Sequence, residues 1–96
     1  MKRLAKFTFR LYVAGDAPNS ALAISNLNAF CRTHLPDRHV LEVVDVFREP
    51  KRALAEGIYM TPTVVVRTPP PVRKIVGTLS QLQPMLMSLG LDAAAA

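Results

Sequence analysis

Residues 60–77 read Met-Thr-Pro-Thr-Val-Val-Val-Arg-Thr-Pro-Pro-Pro-Val-Arg-Lys-Ile-Val-Gly. This stretch constrains the fold more than any other. Proline removes a backbone donor and clashes with the preceding helical turn, so three in succession oppose any helix running through Pro69-Pro70-Pro71. The β-branched runs on either side favour strands. The pattern predicts one strand over Thr63–Arg67 and another over Arg73–Val76, joined by the proline triplet. Pro62, just before the first strand, and Gly77, just after the second, bracket the pair.

The rest of the chain supplies what such strands pack against. Residues 7–13 alternate, with Phe7, Phe9, Leu11 and Val13 on one face of a predicted first strand. The turn-rich run Gly15 to Ser20 offers helix-start chemistry, with Pro18 tolerated in a first turn. A helix is predicted from Leu22 to about Leu35, its apolar stripe formed by Ala23, Leu27 and Phe30 and flanked by Ile24 and Cys31. Val40–Phe47 is β-branched and apolar on both faces apart from Glu42 and Asp45, the pattern of a strand covered by helices on both sides. Strand, helix and strand form a βαβ unit with parallel strands. Pro50 opens a short helix over Lys51–Glu56, and Gly57 closes it. Ser80 and Gln83 suggest a capping box for a last helix through Leu82, Leu86 and Leu89, closed by Gly90. The predicted order is βαβαββα, in one domain spanning residues 1–92, with a low-complexity alanine tail over 93–96.

Composition limits function. The 96 residues carry a formal charge of +5 and a single cysteine, which excludes an internal disulfide and fits a reducing, cytoplasmic compartment. The alternating start lacks the continuous apolar core of a signal peptide. No apolar run approaches the roughly 18 residues of a membrane span. The basic residues fall into separate groups: Lys2, Arg3 and Lys6; Arg48, Lys51 and Arg52; Arg73 and Lys74. Neither a stripe nor interleaved aromatic residues suit nucleic acid. Solvated surface charge, with one or two contacts to an anionic protein, is the favoured reading.

Catalytic constellations are sparse. A reactive thiol needs a helix N-terminus or a cationic neighbour, whereas Cys31 lies three turns into the first helix, beside its apolar stripe. Cys31, His34 and His39 make an incomplete zinc set, since structural zinc takes four ligands. The four glycines are isolated and do not form a phosphate loop. Asp45 is read as a strand-end carboxylate that hydrogen-bonds a neighbouring loop. These observations point to no catalytic constellation. A thiol redox or stress-related protein using Cys31 is kept as an alternative.

The order βαβαββα resembles the α/β thioredoxin-like fold. Redox enzymes of that fold place Cys-x-x-Cys at the start of the first helix; the matching run Ala14 to Ser20 has no cysteine. More specifically, the chain resembles the KaiB family. The resemblance is carried by Leu11-Tyr12-Val13-Ala14-Gly15 with Pro18-Asn19-Ser20, by Val43–Val46 with Pro50, and by Thr61-Pro62-Thr63. The longest block is Pro69 to Gly77, followed by Leu79-Ser80. The resemblance implies a non-enzymatic protein without cofactor or metal that binds a KaiC-type ATPase and modulates its phosphorylation and ATPase cycle. KaiA- or SasA-like proteins are further implied partners, and a homo-oligomer (dimer or tetramer) is the implied resting form. It also implies fold switching from about Arg48 onward, the alternative order being βαββααβ in an oligomer. Pro62, Pro70, Pro71, Gly77 and Thr78 lie in the switching region. Thr78 departs from the family's Gly-Asp pair and so removes a negative charge near a helix start. Phe47, Arg48, Lys51 and Arg52, then Arg73 and Lys74, are the partner-binding candidates.

Overall fold

A computed structural model describes residues 6–90. The predicted domain limit at residue 92, the alanine tail, and Lys2 and Arg3 lie outside the described residues. The observed elements are β1 (Phe7–Val13), α1 (Pro18–His34), β2 (His39–Asp45), α2 (Pro50–Ala55), β3 (Thr63–Thr68), β4 (Arg73–Val76) and α3 (Leu82–Ser88). This is the βαβαββα order expected from the sequence. The sheet runs β2-β1-β3-β4. β1 is parallel to β2, with Phe9 opposite Leu41, and antiparallel to β3, with Leu11 opposite Val64. β3 and β4 form the antiparallel hairpin across the proline triplet. The Thr61–Pro62, Thr68–Pro69 and Pro70–Pro71 peptide bonds are cis.

Alternation in β1 divides the molecule in two. Phe7, Phe9, Leu11 and Val13 enter the larger core, together with Val64 and Val66 of β3. α1 closes this core with Ala23, Leu27, Phe30 and Cys31, its predicted stripe with the flanking cysteine, and α3 and its C-cap residue add Met85, Leu86 and Leu89. On the other face Tyr12, Val44 and Val65 meet Ala53 of α2 and Ile58 in a smaller cluster. β3 carries three consecutive buried valines, Val64, Val65 and Val66, because an inner strand covered on both faces has no solvent side.

Three local expectations are corrected. β2 is not covered on both sides: it forms one edge of the sheet, and Val40 and Val43 are 48% and 44% exposed while only Val44 is buried. An apolar run marks a strand but does not say which neighbours it has. The last helix begins after Gln81, which makes no side-chain cap hydrogen bond. Ser80 is thus one residue too early for a capping box, and its hydroxyl oxygen instead accepts from the Thr78 hydroxyl at 3.2 Å. α1 starts one turn before the predicted Leu22, with Pro18 in its first turn. There the buried Ser20 hydroxyl accepts the Ala14 N–H at 3.0 Å.

Candidate functional site

α2 and its two flanking loops lie at the end of the sheet where β1 and β2 finish. Asp45 fixes the entry. Its Oδ1 accepts the Phe47 N–H at 2.9 Å and the Gly15 N–H at 3.2 Å, the strand-end role expected for it. Phe47 is thereby held over the β1–α1 turn: a Cβ on Gly15 would lie 3.5 Å from the Phe47 ring. The ring is nevertheless 75% exposed, and Tyr59 and Met60, after α2, are 88% and 63% exposed. Ala14, Phe47, Ile58, Tyr59, Met60 and Thr61 line one shallow groove. Side chains so large are normally buried, and clustered exposure of this kind marks contact surfaces.

The basic candidates separate into three environments. Arg48 and Lys51 are exposed beside Phe47, and among the described residues neither is ion-paired. Arg52 is engaged within the molecule, 2.9 Å from Glu42 and 3.2 Å from Glu49. Arg73 and Lys74 point to opposite faces of the β4 edge. The Arg73 guanidinium reaches the Pro69 carbonyl at 3.5 Å. Lys74 faces α2, where its ammonium lies 3.1 Å from where a Cβ on Gly57 would stand.

The switching-region residues converge only in part. The Gly77 N–H donates to the Pro62 carbonyl at 2.9 Å and closes the far end of the hairpin. The Thr78 carbonyl accepts from the Asn26 side chain of α1 at 2.8 Å. Pro70 and Pro71 stand exposed at the opposite, turn end.

Nothing in the residue pattern signals the charge network under α2. Glu56 Oε1 accepts from the Tyr12 hydroxyl at 2.6 Å and from Arg10 Nη1 at 3.0 Å, while Arg67 Nη1 donates to Oε2. Arg10 Nε also reaches Glu42 at 3.0 Å. Burial pushes the Glu56 carboxyl up, but the hydrogen bonds from Tyr12 and Arg10 and the charges of Arg67 and Arg10 outweigh it and hold the group below its ordinary range. Arg52, then Arg10, lower Glu42 in the same direction against a smaller upward push from burial. Burial, then the bond to Glu56, raises the Tyr12 phenol. Only Glu42 was visible as a polar interruption in an apolar strand; the partners are 11 to 46 residues apart in sequence.

Thiol and metal chemistry find little support here. Cys31 is fully buried in the larger core, and burial pushes its thiol up to about 11. That holds it protonated, away from the thiolate that reacts. His34 packs on Phe30, and His39 Nδ1 lies 2.7 Å from the Leu35 carbonyl. Among the described residues no three His, Cys, Asp or Glu side chains gather as a metal site, and no helix is long and apolar enough to cross a membrane.

The KaiB domain profile matches residues 10–91. The chain belongs to the KaiB family. It is 41% identical to the circadian clock oscillator protein KaiB of Acaryochloris marina over 85 residues, 88% of this chain and 82% of that relative. Identity to the circadian clock protein KaiB3 of a Synechocystis strain is 38% over 87 residues, 91% of this chain and 83% of the relative. Among solved structures, the N-terminal domain of Synechococcus elongatus SasA superposes with a TM-score of 0.74 at 16% identity, covering 97% of this chain and 91% of that one. The Deadhead thioredoxin of Drosophila melanogaster gives 0.70 at 17% identity, covering 88% and 81%. At such identities the likeness establishes the fold, which is thioredoxin-like. The KaiB match spans both faces of the sheet and the whole of the α2 surface.

Proposed function

We propose that this chain is a non-enzymatic KaiB-like regulator that binds a KaiC-type ATPase and modulates its phosphorylation and ATPase cycle. The observation that carries the reading is the exposed Phe47–Tyr59–Met60 groove, with the exposed Arg48 following Phe47 in the chain and the exposed Lys51 one turn further on. Apolar anchors supply binding energy at such surfaces. Unpaired exposed cations steer an acidic partner and raise the association rate. Arg52, occupied by Glu42 and Glu49, contributes by fixing α2. Lys74, exposed beside Gly57, and Arg73 are the next basic candidates. KaiA- or SasA-like proteins are the further candidate partners; the SasA-domain likeness supports a clock-type assembly.

The same reading includes a rearrangement from about Arg48 onward to the order βαββααβ in a homo-oligomer, a dimer or tetramer. Such a switch requires two packings within a few kcal/mol and a partner that binds one of them better. The valine run of β3 favours the thioredoxin-like packing locally. The resting form would then depend on contacts between subunits.

Co-elution with a nucleotide-loaded KaiC-type ATPase tests the surface. The wild-type chain is expected to co-elute, and Phe47→Ala and the pair Arg48→Glu with Lys51→Glu to lose the complex. Undiminished co-elution of either variant would place the interface elsewhere.

A further inference from the structure

The surface proposed above rides on a helix that cannot hold itself. α2 has six residues and buries only Ala53, whereas isolated helices shorter than about 12 residues are marginal in water. Something else must set its position. The Asp45 carboxylate holds the entry through the Phe47 and Gly15 amides. At the exit the C-cap residue, Glu56, is only 14% exposed at its side chain and receives three donors from two strands. Arg10 and Tyr12 reach it from β1 and Arg67 from β3. Lys74 of β4 stands over the following residue, Gly57. Arg10 and Arg52 both continue to Glu42 on β2. A hydrophobic contact can slide, but a carboxylate shared by two guanidiniums and a phenol fixes one arrangement.

We infer that Glu56 is a positioning residue: its carboxylate clamps α2 and the following loop to β1 and β3, and so sets how Phe47, Tyr59 and Met60 meet a partner. The effect on binding rests on the docking surface proposed above; the clamp itself does not. Removing one member of a part-buried charge cluster leaves the others uncompensated, so the consequence is local loosening of residues 51–60.

The test measures hydrogen exchange and partner binding on the full chain with Glu56→Gln, which keeps size and shape but removes the charge. Exchange at residues 51–60, without partner, is expected to accelerate about tenfold or more while amides of β1 and β3 keep their protection. Affinity for the KaiC-type ATPase is expected to fall in parallel. Tyr12→Phe, which removes one donor and no charge, gives a smaller change of the same kind and serves if Glu56→Gln does not fold. Unchanged exchange in both variants overturns the clamp. Accelerated exchange with unchanged affinity, where Phe47→Ala does abolish binding, overturns the positioning role and leaves the surface standing. If Phe47→Ala binds normally, the surface is wrong, while the exchange data still judge the clamp.

Discussion

Beneath α1 and α3 the sheet presents Phe7, Phe9, Leu11, Val13, Val64 and Val66, and every one of them is buried. Beneath α2 it presents Tyr12, Val44 and Val65 and then turns polar, with Arg10, Glu42 and Arg67 tied to Glu56 and Arg52. The first face is held by apolar area withdrawn from water, a force without direction that accumulates with every residue. The second depends on a few charges whose value lies in their geometry. The contrast implies that one side of this protein is built to stay put, and on the inference drawn above the other can be loosened by itself. The exposed groove, with Phe47, Tyr59 and Met60, belongs to the second side.

The comparison can be broken at several strengths. Leu27→Ala, in the middle of the α1 stripe, is expected to cost about 2–5 kcal/mol in denaturant unfolding, as large-to-small core substitutions do. A cost within the range of surface substitutions would mean that the larger core is not packed as described. Acid should act on the other face first. Glu56 and Glu42 are held below their ordinary range, so their stabilising contribution is present above the unfolded carboxylate pKa and is lost as pH falls through the lower folded values. Amide protection at residues 50–58 is therefore expected to collapse at a higher pH than protection at residues 23–31. Simultaneous loss would remove the distinction between the faces. The smallest effect belongs to Glu49→Gln, which breaks only an exposed pair with Arg52; the thermal midpoint should not move measurably.

Much of the fold was legible. The alternation of β1, the stripe of α1, the valines of β3 and the proline punctuation of the hairpin are local patterns with local causes, and their order led to the sheet. The site was legible in pieces. Phe47, Arg48 and Lys51 stand together and exposed as expected, and Asp45 binds the loop assigned to it. Arg52 looked like their companion in sequence but is paired with Glu42 and Glu49. Arg73 and Lys74, adjacent in sequence, are divided by the two-residue period of a strand. Tyr59 and Met60 are not legible from periodicity, because an apolar pair in a loop carries none. The one available signal was that they are large and apolar just where no element could bury them.

What the sequence determined by itself was the succession of elements, the two apolar stripes and the absence of a Cys-x-x-Cys at the first helix. These follow from side-chain period, proline stereochemistry and residue identity. Only the tertiary structure decided that β2 is an edge and that Cys31 is sealed in the core. It also brought Arg10, Tyr12, Glu42, Glu56 and Arg67, scattered from the first strand to the third, into one cluster beneath α2. Charge pairs of this kind leave no period in the chain, because a carboxylate and a guanidinium attract at whatever sequence separation the fold brings them together.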